Sequence, residues 1–163
     1  MSFRLFSSDL TEGGVLPLEQ VFNSMGFTGG NTSPQLAWEN APEGTKSFVV
    51  TVYDPDAPTG SGWWHWIVAD IPASATELDK GAGSGKASLP PGAFQTRNDF
   101  GFAGFGGGAP PPGVLHHYVF TVHALKVDKI GIDEQVSGAM VGFMIYMHGL
   151  GKATLTVTYT SNS

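Results

Sequence analysis

Cysteine is absent from this chain of 163 residues, which excludes disulfides and thiolate nucleophiles. Charge is scarce and lopsided: 8 Lys and Arg stand against 14 Asp and Glu, a formal net charge of −6. Nucleic acid and anionic membranes both demand a basic face, so neither is expected as the main partner. No run approaches the ~20 apolar residues of a membrane-spanning helix, and the opening segment MSFRLFSSDLTEGG lacks the apolar stretch of a secretion leader. A soluble, cytoplasmic protein is the expectation. Internal repeats are lacking too, as are G-x-x-x-x-G-K-[ST], H-E-x-x-H and a G-x-S-x-G elbow in a strand-to-helix setting. Those absences set aside the corresponding phosphate loops, zinc sites and serine nucleophiles, and neither a metal nor a cofactor is expected.

What is present is mostly apolar and punctuated. Hydrophobic residues make up 41% and charged ones 13%, which suits a compact chain, and the length suits one domain over residues 1–163. Segments rich in β-branched and aromatic residues read as strands over Ser47–Tyr53, Trp64–Ile71, His117–Leu125 and Ala153–Tyr159. In the last of these Leu155, Val157 and Tyr159 alternate with Thr154, Thr156 and Thr158, as on a sheet packed on one side. The antiparallel, mostly β class follows. One segment departs from it: Val136, Met140, Phe143, Met144 and Met147 recur at helical spacing, predicting a helix over Asp133–His148 with Asp133 as N-cap, Gly149 as terminator and the Met-rich face in the core. Pro17–Asn23 reads equally as a short helix or an extended edge.

The chemistry gathers in two loops. YDPDAPTGSGWWHW, Tyr53–Trp66, sets Asp54 and Asp56 among prolines that stiffen the bend, followed by Trp63, Trp64, His65 and Trp66. FGFAGFGGGAPPPGVLHHY, Phe100–Tyr118, delivers His116, His117 and Tyr118 to a strand start. Strand alternation groups His116 with Tyr118, away from His117, and groups His65 with Trp63 and Ile67, away from Trp64 and Trp66. Trp63 is then a pocket wall. Each candidate has a plainer alternative: Asp54 and Asp56 as Asx caps of their own bend, His65 as a satisfied half-buried side chain, the tryptophans as core.

The series NTSPQLAW, DPDAP, WWHW, QTRNDFG, the Gly-rich loop ending in PPPG, H-x-Y and SGAMVGF resembles the phosphatidylethanolamine-binding protein family, in particular its bacterial Raf-kinase-inhibitor-like branch. The resemblance implies an antiparallel β-sandwich with a larger central sheet, a few peripheral helices and an anion-sized pocket at one end. It also implies that Asp54, His65, His116 and Tyr118 line that pocket, that Asp56 lies beside them, and that Ala109 and Pro110 close it with their backbone. Two places that are commonly basic in the family hold Pro112 and His117 here.

Convergent imidazole, phenol and backbone donors would capture an anion, so a small anionic ligand is expected: phosphate, a phospho-headgroup or a carboxylate. The resemblance implies a regulatory binding protein with a protein partner, such as a kinase or protease. Two other classes stay open. The carboxylates and imidazoles could run acid–base hydrolysis, with or without a metal. Alternatively Phe100, Phe102 and Phe105 could dock a partner chain or form a homodimer.

Overall fold

The computed structural model describes residues 1–162, and its strands all pair antiparallel within two sheets. The smaller sheet has the order β1 (Arg4–Phe6), β2 (Leu36–Glu39), β5 (Glu77–Leu78). The larger has the order β6 (Phe94–Gln95), β4 (Trp63–Pro72), β3 (Ser47–Asp54), β7 (His116–Leu125), β8 (Gly149–Tyr159). β3 is the central strand. It is apolar on both faces because both are covered, which explains its nearly unbroken run SFVVTVYD.

One face meets the small sheet. Leu5, Leu36, Trp38 and Leu78 pack there against Phe48, Val50, Val52, Trp66, Phe120 and Leu155, and each side chain of this size contributes roughly 1.5–3 kcal/mol by leaving water. The opposite face, with Val49, Ile67, Ala69 and Leu125, is covered by α1 (Gly138–His148) through Val141, Met144 and Ile145. Residues 13–16 run beside β8, where Gly13 and Leu16 donate to the carbonyls of Thr156 and Thr158, and so cover part of that edge. The sandwich with a larger central sheet is as expected; its helical content among the described residues is α1 and a 3-10 turn at Leu18–Gln20, the latter inside the ambiguous Pro17–Asn23.

The helix differs from its sequence reading in two respects. It begins at Gly138, and Ser137 is the N-cap, its hydroxyl accepting from the Met140 N–H at 3.1 Å. Asp133 instead closes an Asx turn, accepting from Gln135 N–H at 2.8 Å. Gly149 ends the helix in extended backbone and is already the first residue of β8. The buried side is Gly138 and Val141, whereas Met140, Phe143 and Met147 are about half exposed at 47%, 57% and 50%. A helix apolar on every side gives periodicity nothing to orient it by.

Candidate functional site

The site grows from an irregularity in β4. Val52 pairs with Trp66 and Tyr53 with Trp64, so the register shifts across one residue and His65 is left unopposed. This β-bulge breaks the alternation expected for the WWHW run. Trp64 goes to the helix side with Ile67, while Trp66 joins the main core. His65 therefore shares its side with Trp66 and is opposite Ile67, the reverse of the sequence expectation. Gly106 holds the bulge from both directions, donating its N–H to the His65 carbonyl at 2.9 Å and accepting from His65 Nδ1 at 2.8 Å. Glycine suits that position, because a Cβ at Gly106 would run into the Phe100 ring and force it to move.

On the other side of β3, β7 brings His116. Its Nδ1 donates to Asp54 Oδ2 at 2.6 Å in a pair that is almost fully buried. Asp54 Oδ1 accepts from the Asp56 N–H at 2.8 Å, so the carboxylate caps its bend and holds His116 at once. Asp56 turns elsewhere. Its Oδ2 accepts from both the backbone N–H and Nδ1 of His117, each at 2.7 Å, which ties the DPDAP loop to the exposed side of β7. Desolvation works to raise the Asp56 pKa, but the two His117 bonds outweigh it and hold the carboxyl below its usual range.

Between the two histidines opens a cavity of about 190 Å³. Its walls are Met25, Ala57, Pro58, Thr59, Trp63, Phe100, Ala109 and Pro111, with Asp54, His65 and His116 completing the lining. Trp63 and His65 both meet the Phe100 ring edge-on, with centroids at 5.2 and 5.5 Å. Trp63 Nε1 is buried without a hydrogen-bond partner. No Lys or Arg lines the cavity.

Burial depresses the His65 pKa, and the Gly106 carbonyl, Asp54, the Gly107 backbone and Asp99 only partly offset it, so the ring is held neutral. Tyr118 lies one layer deeper. Its ring meets His65 edge-on at 5.2 Å, and it borders a small void with Leu16, Val52, Phe105 and Gly108, outside the residues lining the open cavity. Burial and then Asp54 push its phenol far above the ordinary range, so it stays protonated. Pro110 and Asp56 likewise sit next to the lining residues without joining them.

Phe100, Met25, Ala57, Pro58, Thr59 and Pro111 line the cavity without having been singled out for it. For Ala57, Pro58 and Thr59 the signal was there, since they continue the DPDAP bend. Met25 had none: it arrives from a distant loop in left-handed backbone, φ 58°. Among the described residues no group of three or more His, Cys, Asp or Glu could hold a metal ion, and no helix is long and apolar enough to cross a membrane.

A sequence profile described as phosphatidylethanolamine-binding protein matches residues 6–160. The UPF0098 protein YbhB of Escherichia coli is 55% identical over 157 residues, covering 96% of this chain and 99% of that one. The UPF0098 protein YbcL of the same organism is 53% identical over 160 residues, covering 97% of this chain and 87% of that one. A crystal structure of YbcL, described as a new member of the mammalian PEBP family, superposes with a TM-score of 0.95 at 52% identity over 98% of this chain and 99% of the other. A Chlamydia trachomatis homologue, CT736, superposes with a TM-score of 0.81 at 28% identity, covering 98% of each chain.

Proposed function

The chain belongs to the phosphatidylethanolamine-binding protein family, and on that premise we propose that it is a single-domain cytoplasmic binding protein whose pocket takes a small anion or phospho-headgroup between His65 and His116. Asp54 orients His116, Trp63 supplies an apolar wall, and Asp56, Ala109, Pro110 and Tyr118 shape the surroundings. The observation that carries the reading is the pair of buried imidazoles, each anchored through Nδ1, on a cavity of head-group size. A protein partner would read occupancy at the rim, where Met25, Pro58 and Thr59 are exposed.

The experiment is calorimetric titration of phenyl phosphate and inorganic phosphate into the wild type and into His65→Ala/His116→Ala, alongside thermal melting. Tenfold or greater loss of affinity in a folded double variant is expected. Ala57→Phe, which fills the cavity from its exposed loop, guards against a double variant that does not fold, and should block binding while leaving the core intact. Undiminished affinity in the folded variants would sink the proposal.

A second reading has one observation in its favour. A buried carboxylate on Nδ1 is how a general-base histidine is oriented, so Asp54–His116 could activate water. Release of phenol from phenyl phosphate, lost in His116→Gln, would establish that reading.

A further inference from the structure

The hydrogen bonds at the two histidines fix which protons the pocket holds. A carbonyl oxygen only accepts, so His65 Nδ1, at 2.8 Å from Gly106 O, carries the hydrogen. The Asp54 carboxylate accepts at both oxygens, from Asp56 N–H and from His116 Nδ1, so His116 Nδ1 carries one as well. A neutral imidazole has a single N–H. Both Nε2 atoms are then bare lone pairs, and neither has a hydrogen-bond partner among the described residues.

This reverses the donor-lined pocket expected from the sequence. An unprotonated oxyanion offers only acceptors and would meet the lone pairs of both imidazoles, with no lysine or arginine in the lining to offset the clash and the Trp63 Nε1–H as the unpaired side-chain donor among the lining residues. Resting on the anion-binding reading above, we infer that the pocket takes a monoprotonated phospho-oxyacid with an apolar substituent, and that the dianion is bound only with uptake of two protons from solvent, one at a phosphoryl oxygen and one at His116 Nε2. One P–O⁻ oxygen accepts from Nε2–H of His116, whose imidazolium is balanced by Asp54. The remaining P–OH donates to the lone pair of His65. The apolar substituent lies against Met25, Pro58, Trp63 and Phe100.

The charged groups around the pair are consistent with this division. His116 is faced by Asp54 from β3, by Asp56 from the following loop and by His117 on its own strand. His65 sees Asp54 and Asp99, but its burial outweighs both. Tyr118 stays a neutral phenol, and Tyr159 pairs with His116 in the sheet register.

Calorimetry with phenyl phosphate at pH 8, in buffers of different ionisation enthalpy, counts the protons. A phosphomonoester loses its second proton near pH ~6; uptake of about two protons per ligand is expected, and affinity should fall on the order of a hundredfold per pH unit between pH 7 and 8. In His65→Gln an amide N–H stands where the lone pair was. Uptake should drop by about one proton while dianion affinity rises. Benzoate, a monoanion with no proton to give, should bind at least tenfold more weakly than phenyl phosphate to wild-type protein at pH 6, a comparison that needs no variant to fold.

Binding without proton uptake, or equal affinity for benzoate, overturns this inference and leaves the anion-binding reading standing. Unchanged uptake in folded His65→Gln also overturns it. If phenyl phosphate, benzoate and inorganic phosphate all fail to bind folded wild type, the anion-binding reading itself falls.

Discussion

At the residue scale, burial acts on two histidines in the same sense. His65 and His123 both have their pKa lowered, His123 to about 4 through desolvation with Lys152 opposite it adding repulsion. Unfolded histidine titrates near ~6.5, so between ~6.5 and about 4 the unfolded chain binds the proton that native His123 refuses, and stability falls as pH falls through that window. Above it the contribution is absent. For this largely buried ring, partly reached by solvent, the total is roughly 2 kcal/mol. His123→Gln keeps a polar group for the Thr51 hydroxyl, 3.2 Å from Nε2, while removing the titration. Urea unfolding at pH 7 and pH 4.5 should therefore show a smaller acid loss in the variant than in the wild type. Equal losses would assign the acid sensitivity to other groups, His65 first among them. The aspect of the site least legible in the sequence belongs to this scale as well. Residue types and family order pointed to Asp54, His65 and His116, but donor and acceptor roles depend on what each Nδ1 touches. Those partners, Gly106 and Asp54, lie 41 and 62 residues away along the chain.

At the scale of elements, α1 has two apolar faces and only one is packed. Val141 is 1% exposed against the sheet, whereas Met147 is 50% exposed. Val141→Ala should cost on the order of 2 kcal/mol, as a truncated core side chain does. Met147→Lys should change stability by less than about 0.5 kcal/mol, since the new cation reaches water and lies near a helix C-terminus that favours it. Urea midpoints at constant m-value measure both. A Met147→Lys cost matching that of Val141→Ala would mean that the outer face is covered in solution. The four long strands of the large sheet, β3, β4, β7 and β8, were legible because one or both of their faces are buried and their composition is β-branched and aromatic, whereas the two-residue β6 is too short to carry a pattern. The bulge at His65 was not: four consecutive large rings in WWHW look alike to an alternation rule, and only the pairing with Val52 and Tyr53 reveals the slip. The helix start was missed for a comparable reason. Asp133 and Ser137 are both good N-caps, and which one caps depends on where the chain meets the sheet.

At the scale of the whole molecule, the net charge of −6 and the cation-free pocket make a joint demand on ligand binding. A site that captures anions with lysine or arginine weakens as salt screens the attraction. Here the long-range field opposes the ligand, and local hydrogen bonding with apolar contact must supply the affinity. The Debye length shortens from ~30 Å at 0.01 M to ~8 Å at 0.15 M ionic strength, so most of the molecule's negative charge ceases to reach the pocket. Affinity for phenyl phosphate at pH 6 should therefore hold steady or rise, by up to about threefold, as the ionic strength is raised over that range. The measurement is a titration at fixed pH in sodium chloride, with protein concentration held constant. A severalfold fall would mean that a cation outside the lining governs capture. Arg97, exposed at the base of the Phe100 loop, would then be the first residue to replace.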